Sequence, residues 1–138
     1  MKTTIRTVLA VAAGLALAFA LVVAVEALSA VVHPVPPGTE TMEQMCEHVA
    51  RYPDWVLAVV VLAWSAATFA SVWVAARIGN PAAGIAVALV LTLAIVWNIA
   101  MLPYALWFKV VMLGCFAAAC CWGVTRGVRR SPPVVDVT

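Results

Sequence analysis

Charge is what this chain has least of. Eight Lys and Arg and six Asp and Glu among 138 residues make up a tenth of the sequence, against about a quarter in soluble domains. Two thirds of the residues are hydrophobic and the mean hydropathy is +1.09, which excludes a water-soluble core. Also missing are a glycine-rich nucleotide loop, the spacing of a catalytic triad and a paired-cysteine redox motif. No enzyme, cofactor or nucleic-acid partner is therefore expected. The apolar segments lack the period-two alternation of barrel strands, and in hydrocarbon every backbone donor and acceptor must be satisfied within the chain. An all-α fold follows.

What is present is four apolar stretches, at about 8–32, 55–76, 82–102 and 105–124. Each is long enough to cross a core of roughly 30 Å at about 1.5 Å per residue. Arg77-Ile78-Gly79-Asn80-Pro81 stops one helix with Gly and Asn and opens the next with Pro in its first turn. Pro103 and Tyr104 alone separate the last two spans. The chain reads as an antiparallel bundle of four transmembrane helices, with a short N-terminus at 1–7, a loop at 33–54 and a disordered tail at 125–138.

Basic residues near span ends are retained on the cytoplasmic side. Lys2, Arg6, Arg77, Arg126, Arg129 and Arg130 fall at one end of the bundle, whereas the other end holds Arg51 and Lys109 with Glu40, Glu43, Glu47 and Asp54. Both termini are expected in the cytoplasm of a bacterium, with the chain in the inner membrane and the 33–54 loop outside. Leu28-Ser29-Ala30 resembles a signal-cleavage site, but the apolar run before it exceeds the usual seven to fifteen or so residues and Glu26 stands just ahead. An uncut first span is expected.

The loop has internal order. His33-Pro34-Val35-Pro36-Pro37-Gly38 cannot be helical, because proline restricts both itself and its predecessor. Thr41 and Gln44 then suit a capping box, and Met42, Met45, Cys46 and Val49 fall on one helical face. Glu47 and Arg51 add an i, i+4 pair. A short amphipathic helix is predicted from Met42 to Arg51. Its Met, Cys and His residues include copper-type ligands, but a Met-rich packing face accounts for them without a metal, and no metal is expected. Nor is a disulfide, since Cys115, Cys120 and Cys121 share one span and Cys46 stands alone.

Small residues recur every fourth position at Ala12, Ala16, Ala20 and Ala24, and Ala63, Ala66, Ala67, Ala70 and Ser71 crowd one side of the second span. Such ridges let helix backbones approach closely in lipid, and packing within the bundle is the reading preferred over pairing with a second copy. Trp55, Trp107, Tyr52 and Tyr104 suit an aromatic belt at the loop end and Trp122 one at the other. Trp64, Trp73 and Trp97 are expected deeper, between helices or against lipid.

The candidate site is a polar cluster of Glu26, Asn98, Lys109 and His33. Glu26, Asn98 and Lys109 each sit roughly 7 to 10 Å below the loop-side end of a helix at about 1.5 Å per residue, so they are placed to meet. Charged groups within spans generally face the bundle interior. Ser29 and His33 extend the face of Glu26 toward water. A structural Glu26–Lys109 pair is the leading reading. A proton-linked or ligand site, and a Lys109 that snorkels to the interface, are the alternatives.

His33-Pro34-x-Pro36-Pro37-Gly38, Leu62-Ala63-Trp64, Asn98 and Leu102-Pro103-x-x-Leu106-Trp107-Phe108 together resemble a family of small, uncharacterised four-helix bacterial inner-membrane proteins over about residues 5 to 124. Tyr104-Ala105 stands here where that family's pattern has a His-Pro step, and Thr68 to Val72 replaces a glycine-rich stretch. The resemblance implies the four-helix fold and no activity. An accessory or structural membrane protein, acting through helix packing or its loop, is the expected function. Its partners would be the lipid bilayer and a second copy or another membrane protein. The alternative is a small oligomeric transporter or channel with a polar site around Glu26.

Overall fold

The computed structural model describes residues 2–39 and 41–128. Glu40, Arg129, Arg130 and most of the expected tail lie outside the described residues. The elements are α1 (Lys2–Val32), α2 (Met42–Ala50), α3 (Asp54–Ile78), α4 (Pro81–Met101) and α5 (Leu106–Gly127), with no strand among the described residues. Four of them, all but α2, are long and apolar enough to cross a membrane. The protein is an all-α, multi-pass bundle.

Helix ends fall where the punctuation put them. Asn80 caps α4, its side-chain oxygen accepting the Ala83 N–H at 3.0 Å with Pro81 in the first turn. Leu102 and Pro103 end α4, since the residue before a proline disfavours helix. Two helices run longer than their apolar cores. α1 begins at Lys2 instead of Val8, because Lys-Thr-Thr-Ile-Arg-Thr contains no breaker and its end is tied down. The Arg6 Nε donates to the Ile78 carbonyl at 2.7 Å, and the Asn80 Nδ2 donates to the Thr7 hydroxyl at 2.8 Å. α5 continues to Gly127, with the Arg126 guanidinium 5.5 Å from the Trp122 ring centre.

α3 is the central helix, packed against α1, α4 and α5, while α1 and α5 each also touch α4. Its last two turns present small side chains to all three neighbours, and all three answer with glycine at close range: Gly14 of α1, Gly84 of α4, and Gly123 and Gly127 of α5. A Cβ built on Gly14 of α1 would stand 2.9 Å from the Ala75 Cβ and 3.0 Å from the Ser71 carbonyl. One built on Gly123 of α5 would stand 2.9 Å from the Val72 Cγ1. Hydrocarbon supplies no hydrophobic drive between helices, so close van der Waals contact across small residues carries the association. Toward the loop end the core changes to large side chains: Leu57, Val61, Ile95, Ile99, Phe108, Met112 and Phe116. The bundle is tight at the Arg6 end and wider at the loop end.

The alanine ridge is where the structure corrects the sequence reading. Ala12, Ala16, Ala20 and Ala24 are all exposed, and the residues that pack inward are Ala10, Gly14 and Ala18. Two positions along a helix are about 200° around it at about 100° per residue. The expected ridge therefore points nearly opposite to the one in use at Ala12, and drifts around α1 until Ala24 borders a groove with Ala63, Ala66, Ala67 and Ala70 of α3. On α3, Ala67 and Ser71 are buried as expected, Ala63 and Ala70 are half-buried, and Ala66 is exposed.

Candidate functional site

The loop between α1 and α3 builds the roof of the wide end. Pro36-Pro37-Gly38-Thr39 is a tight turn in which the Thr39 N–H and hydroxyl both donate to the Pro36 carbonyl, at 3.3 and 2.8 Å. Gly38 has φ of +86°, a left-handed conformation that side chains rarely adopt and that a turn of this kind requires after Pro. α2 follows with the expected capping box. The Thr41 hydroxyl accepts the Gln44 N–H at 3.2 Å, and the Thr41 N–H donates to the Gln44 side chain at 3.0 Å. Arg51 is the C-cap, one residue beyond the helix, and it pairs with Glu47.

Below this roof, the wide end of the core leaves a cavity. Glu26 and Ser29 from α1, Tyr52 ahead of α3, Trp64 of α3, Asn98 of α4 and Tyr104 between α4 and α5 supply its polar lining, over a floor of apolar core residues that includes Ile95 and Met112. The space open to water-sized molecules is about 30 Å³, enough for about two or three waters at about 10–15 Å³ each. No organic substrate fits it. Trp64 Nε1 is buried with no hydrogen-bond partner, and an orphaned donor costs about 1–3 kcal/mol. A water accepting from this N–H and donating to Glu26 or Asn98 would satisfy it, a role that a bare cation could not fill.

Glu26 and Asn98 thus line one cavity, as the helix positions suggested. Lys109 does not join them: the ion pair among the described residues is Glu47 with Arg51, and none links Lys109 to Glu26. The reason lies in α5, whose buried residues in this stretch are Phe108 and Met112. Lys109, one position past Phe108, is turned about 100° from that face and is half-buried at its edge. Glu26 stands six residues, about 9 Å, before the end of α1 at Val32, at the depth its position in the sequence suggested.

His33 lies above the cavity instead of in it. Its ring stacks on His48 with centroids 4.5 Å apart and planes 14° apart, and Tyr52 closes on both rings at 4.5 and 5.4 Å. Tyr52 therefore belongs to both layers. The Nε2 atoms of His33 and His48 are buried and lack a hydrogen-bond partner. Two parallel rings hold their lone pairs in separate planes, which do not converge on one ion. Burial, followed by the nearby His33 and Arg51, holds the His48 imidazole below the usual 6.5. Burial first, and then Glu26, raises the Tyr52 hydroxyl, and burial with Glu26 and Tyr52 pushes Tyr104 up to about 12.

The sequence reading placed Tyr52 and Tyr104 in an interfacial belt and Trp64 among packing residues, and it missed all three as cavity residues. For the tyrosines the signal was faint but present, since both sit within a few residues of a loop-side helix end; Trp64, ten residues into α3, carried none. Trp107, also assigned to the belt, donates its indole N–H to the Asp54 carboxylate at 3.0 Å. All four cysteines are free. Comparison of the chain with protein-family models, curated proteins and solved structures finds no match.

Proposed function

We propose that this chain is an accessory protein of a bacterial inner membrane that works by packing against a second membrane-embedded chain, with both termini in the cytoplasm. The observation that carries this reading is the double face of α1. One small-residue face, Ala10, Gly14 and Ala18, is spent inside the bundle, and a second, Ala12, Ala16 and Ala20, is exposed outside it, while Ala24 borders a groove beside α3. In lipid, a ridge of this kind allows backbone contact with another helix. The site geometry agrees, since a 30 Å³ cavity floored by apolar core gives a single bundle nothing to carry organic cargo through. Arg6, Arg77 and Arg126 stand at one end of the bundle and Glu43, Glu47 and Asp54 at the other, which supports the orientation.

The test is crosslinking in native membranes from a cysteine placed at Ala16 or Ala20, in a background with the four native cysteines replaced. The expected result is one discrete adduct, with a partner or a second copy, that Ala12→Leu abolishes. Leu93→Ala, on the exposed face of α4, should leave it intact. An adduct that survives Ala12→Leu, or none at all, would refute the reading.

A second reading, a small oligomeric transporter or channel, is favoured by the meeting of Glu26, Asn98, Tyr52 and Tyr104 in one water-sized space. Its cargo would have to be a proton or a water. Glu26→Gln should then abolish proton flux in reconstituted vesicles while leaving the fold intact, and an unchanged flux would eliminate it.

A further inference from the structure

We propose that the loop end of this protein is a proton-sensing element, in which the stacked rings of His33 and His48 latch α2 to the end of α1 and release it when they take up protons. This is independent of any partner at the α1 ridge. Backbone packing joins α1, α3, α4 and α5 to one another and leaves α2 out. Within α2 only His48 and Val49 are buried, so the ring contacts of His48 with His33 and Tyr52 are a large part of what seats the helix. A latch made of two titratable rings is a weak choice for permanent attachment and a suitable one for a reversible one.

Two neutral imidazoles stack favourably, whereas two imidazoliums at 4.5 Å repel. At an effective dielectric of about 20, and after a discount for solvent at the half-exposed His33, that repulsion disfavours the doubly charged stack by a factor on the order of 100. No carboxylate relieves it at contact range among the described residues. On α2, Glu47 is engaged with Arg51, whose own positive charge adds to the repulsion. Glu26 of α1 lies in the cavity beyond Tyr52, and the groups facing it from ahead of α3 and from the α4–α5 connection are the neutral Tyr52 and Tyr104. Both Nε2 atoms also lack a hydrogen-bond partner that would fix a proton in place.

The direction of the pH effect follows. In the latched state His48 titrates below the usual 6.5, and in the released state its value is ordinary. The latch is therefore at full strength above about pH 6.5, and each unit below that weakens it by up to about tenfold per proton, until the lowered latched value is reached. Tyr52 sits directly after α2 and lines the cavity, so release of α2 also frees the ring contacts that Tyr52 makes with His33 and His48. The ligand is the proton, sensed from the compartment on the α2 side.

Cys46, half-buried on α2, reports the release. In detergent, with Cys115, Cys120 and Cys121 replaced by Ala, its rate of reaction with dithiodipyridine is measured relative to a small free thiol. The rate should rise about tenfold between about pH 7.5 and pH 5.5, and stay flat in His48→Phe, which keeps a ring and loses the titration. Equal rates at the two pH values, or a rise that survives in His48→Phe, overturn the proposal. A measurement on the unsubstituted, untagged protein guards against a misfolded variant. With only two histidines in the chain, side-chain nitrogen spectra of histidine-labelled protein should show His48 titrating below the usual 6.5. An ordinary value for His48 would equally overturn it.

Discussion

Two glycines on α5 give opposite predictions for the same substitution. A Cβ on Gly123 would stand 2.9 Å from the Val72 Cγ1, 3.0 Å from the Val72 Cβ and 3.1 Å from the Phe69 carbonyl, whereas a Cβ on Gly114 meets nothing within 4 Å. Replacing a mid-helix glycine by alanine gains about 0.8–1 kcal/mol of helix propensity, and that gain applies equally at both positions. Gly123→Ala must then also displace Val72, which is 0% exposed and β-branched, or part α5 from α3. Overpacking of this kind costs about 1–3 kcal/mol. Gly114→Ala should raise stability by up to about 1 kcal/mol, and Gly123→Ala should fall below it by about 1–3 kcal/mol. The assay is reversible unfolding in mixed micelles, titrated with a denaturing detergent and followed by tryptophan fluorescence. If Gly123→Ala proves as stable as Gly114→Ala, the close approach of α3 and α5 is not what holds this end of the bundle.

Asn80→Ala removes both the cap on α4 and the bond to Thr7, so it should cost about 1–2 kcal/mol in the same assay; Thr7→Val, which removes only the second, should cost less. A double-mutant cycle of Glu26→Gln and Lys109→Gln should give a coupling energy below about 0.5 kcal/mol, because no ion pair joins the two, and a larger one would mean that they interact. The raised Tyr104 makes the fold sensitive to alkali. The folded state holds that proton while the unfolded chain loses it near 10, so this contribution is intact below pH 10 and is lost as the pH rises toward about 12. Melting curves across that window should show the loss, and Tyr104→Phe should reduce it.

Hydropathy and punctuation made the bundle legible. Runs of Ala, Val and Leu fixed the four spans to within a few residues, apart from the six-residue extension of α1, and Asn80-Pro81 and Leu102-Pro103 fixed their ends because their effects are local. The capping box of Thr41 and Gln44 was legible for the same reason. The facing of α1 was not. Alanine or glycine recurs every fourth residue at both 10–14–18 and 12–16–20, and only the positions of Ser71 and Ala75 on another helix decide between them. Lys109 failed similarly, since depth along a helix follows from counting and direction around it depends on the neighbours. The stack of His33 on His48 spans a proline turn, and no periodicity carries across such a turn.

The taper of the bundle has a mechanical consequence. Gly14 and Gly123 lock α1 and α5 to α3 near one end, and Arg6 and Asn80 fasten α1 to the α3–α4 corner with directed bonds. At the other end large side chains of α3, α4 and α5 fill the core, and a small void lies between them and α1. Such a body deforms as tongs do, pivoting at the fastened end. A tilt of about 5° in one helix of about 30 Å moves its far end by about 2.5 Å while scarcely disturbing the pivot. That displacement approaches the diameter of a water molecule, so small angular changes in α1 would translate into opening or emptying the space beside Glu26.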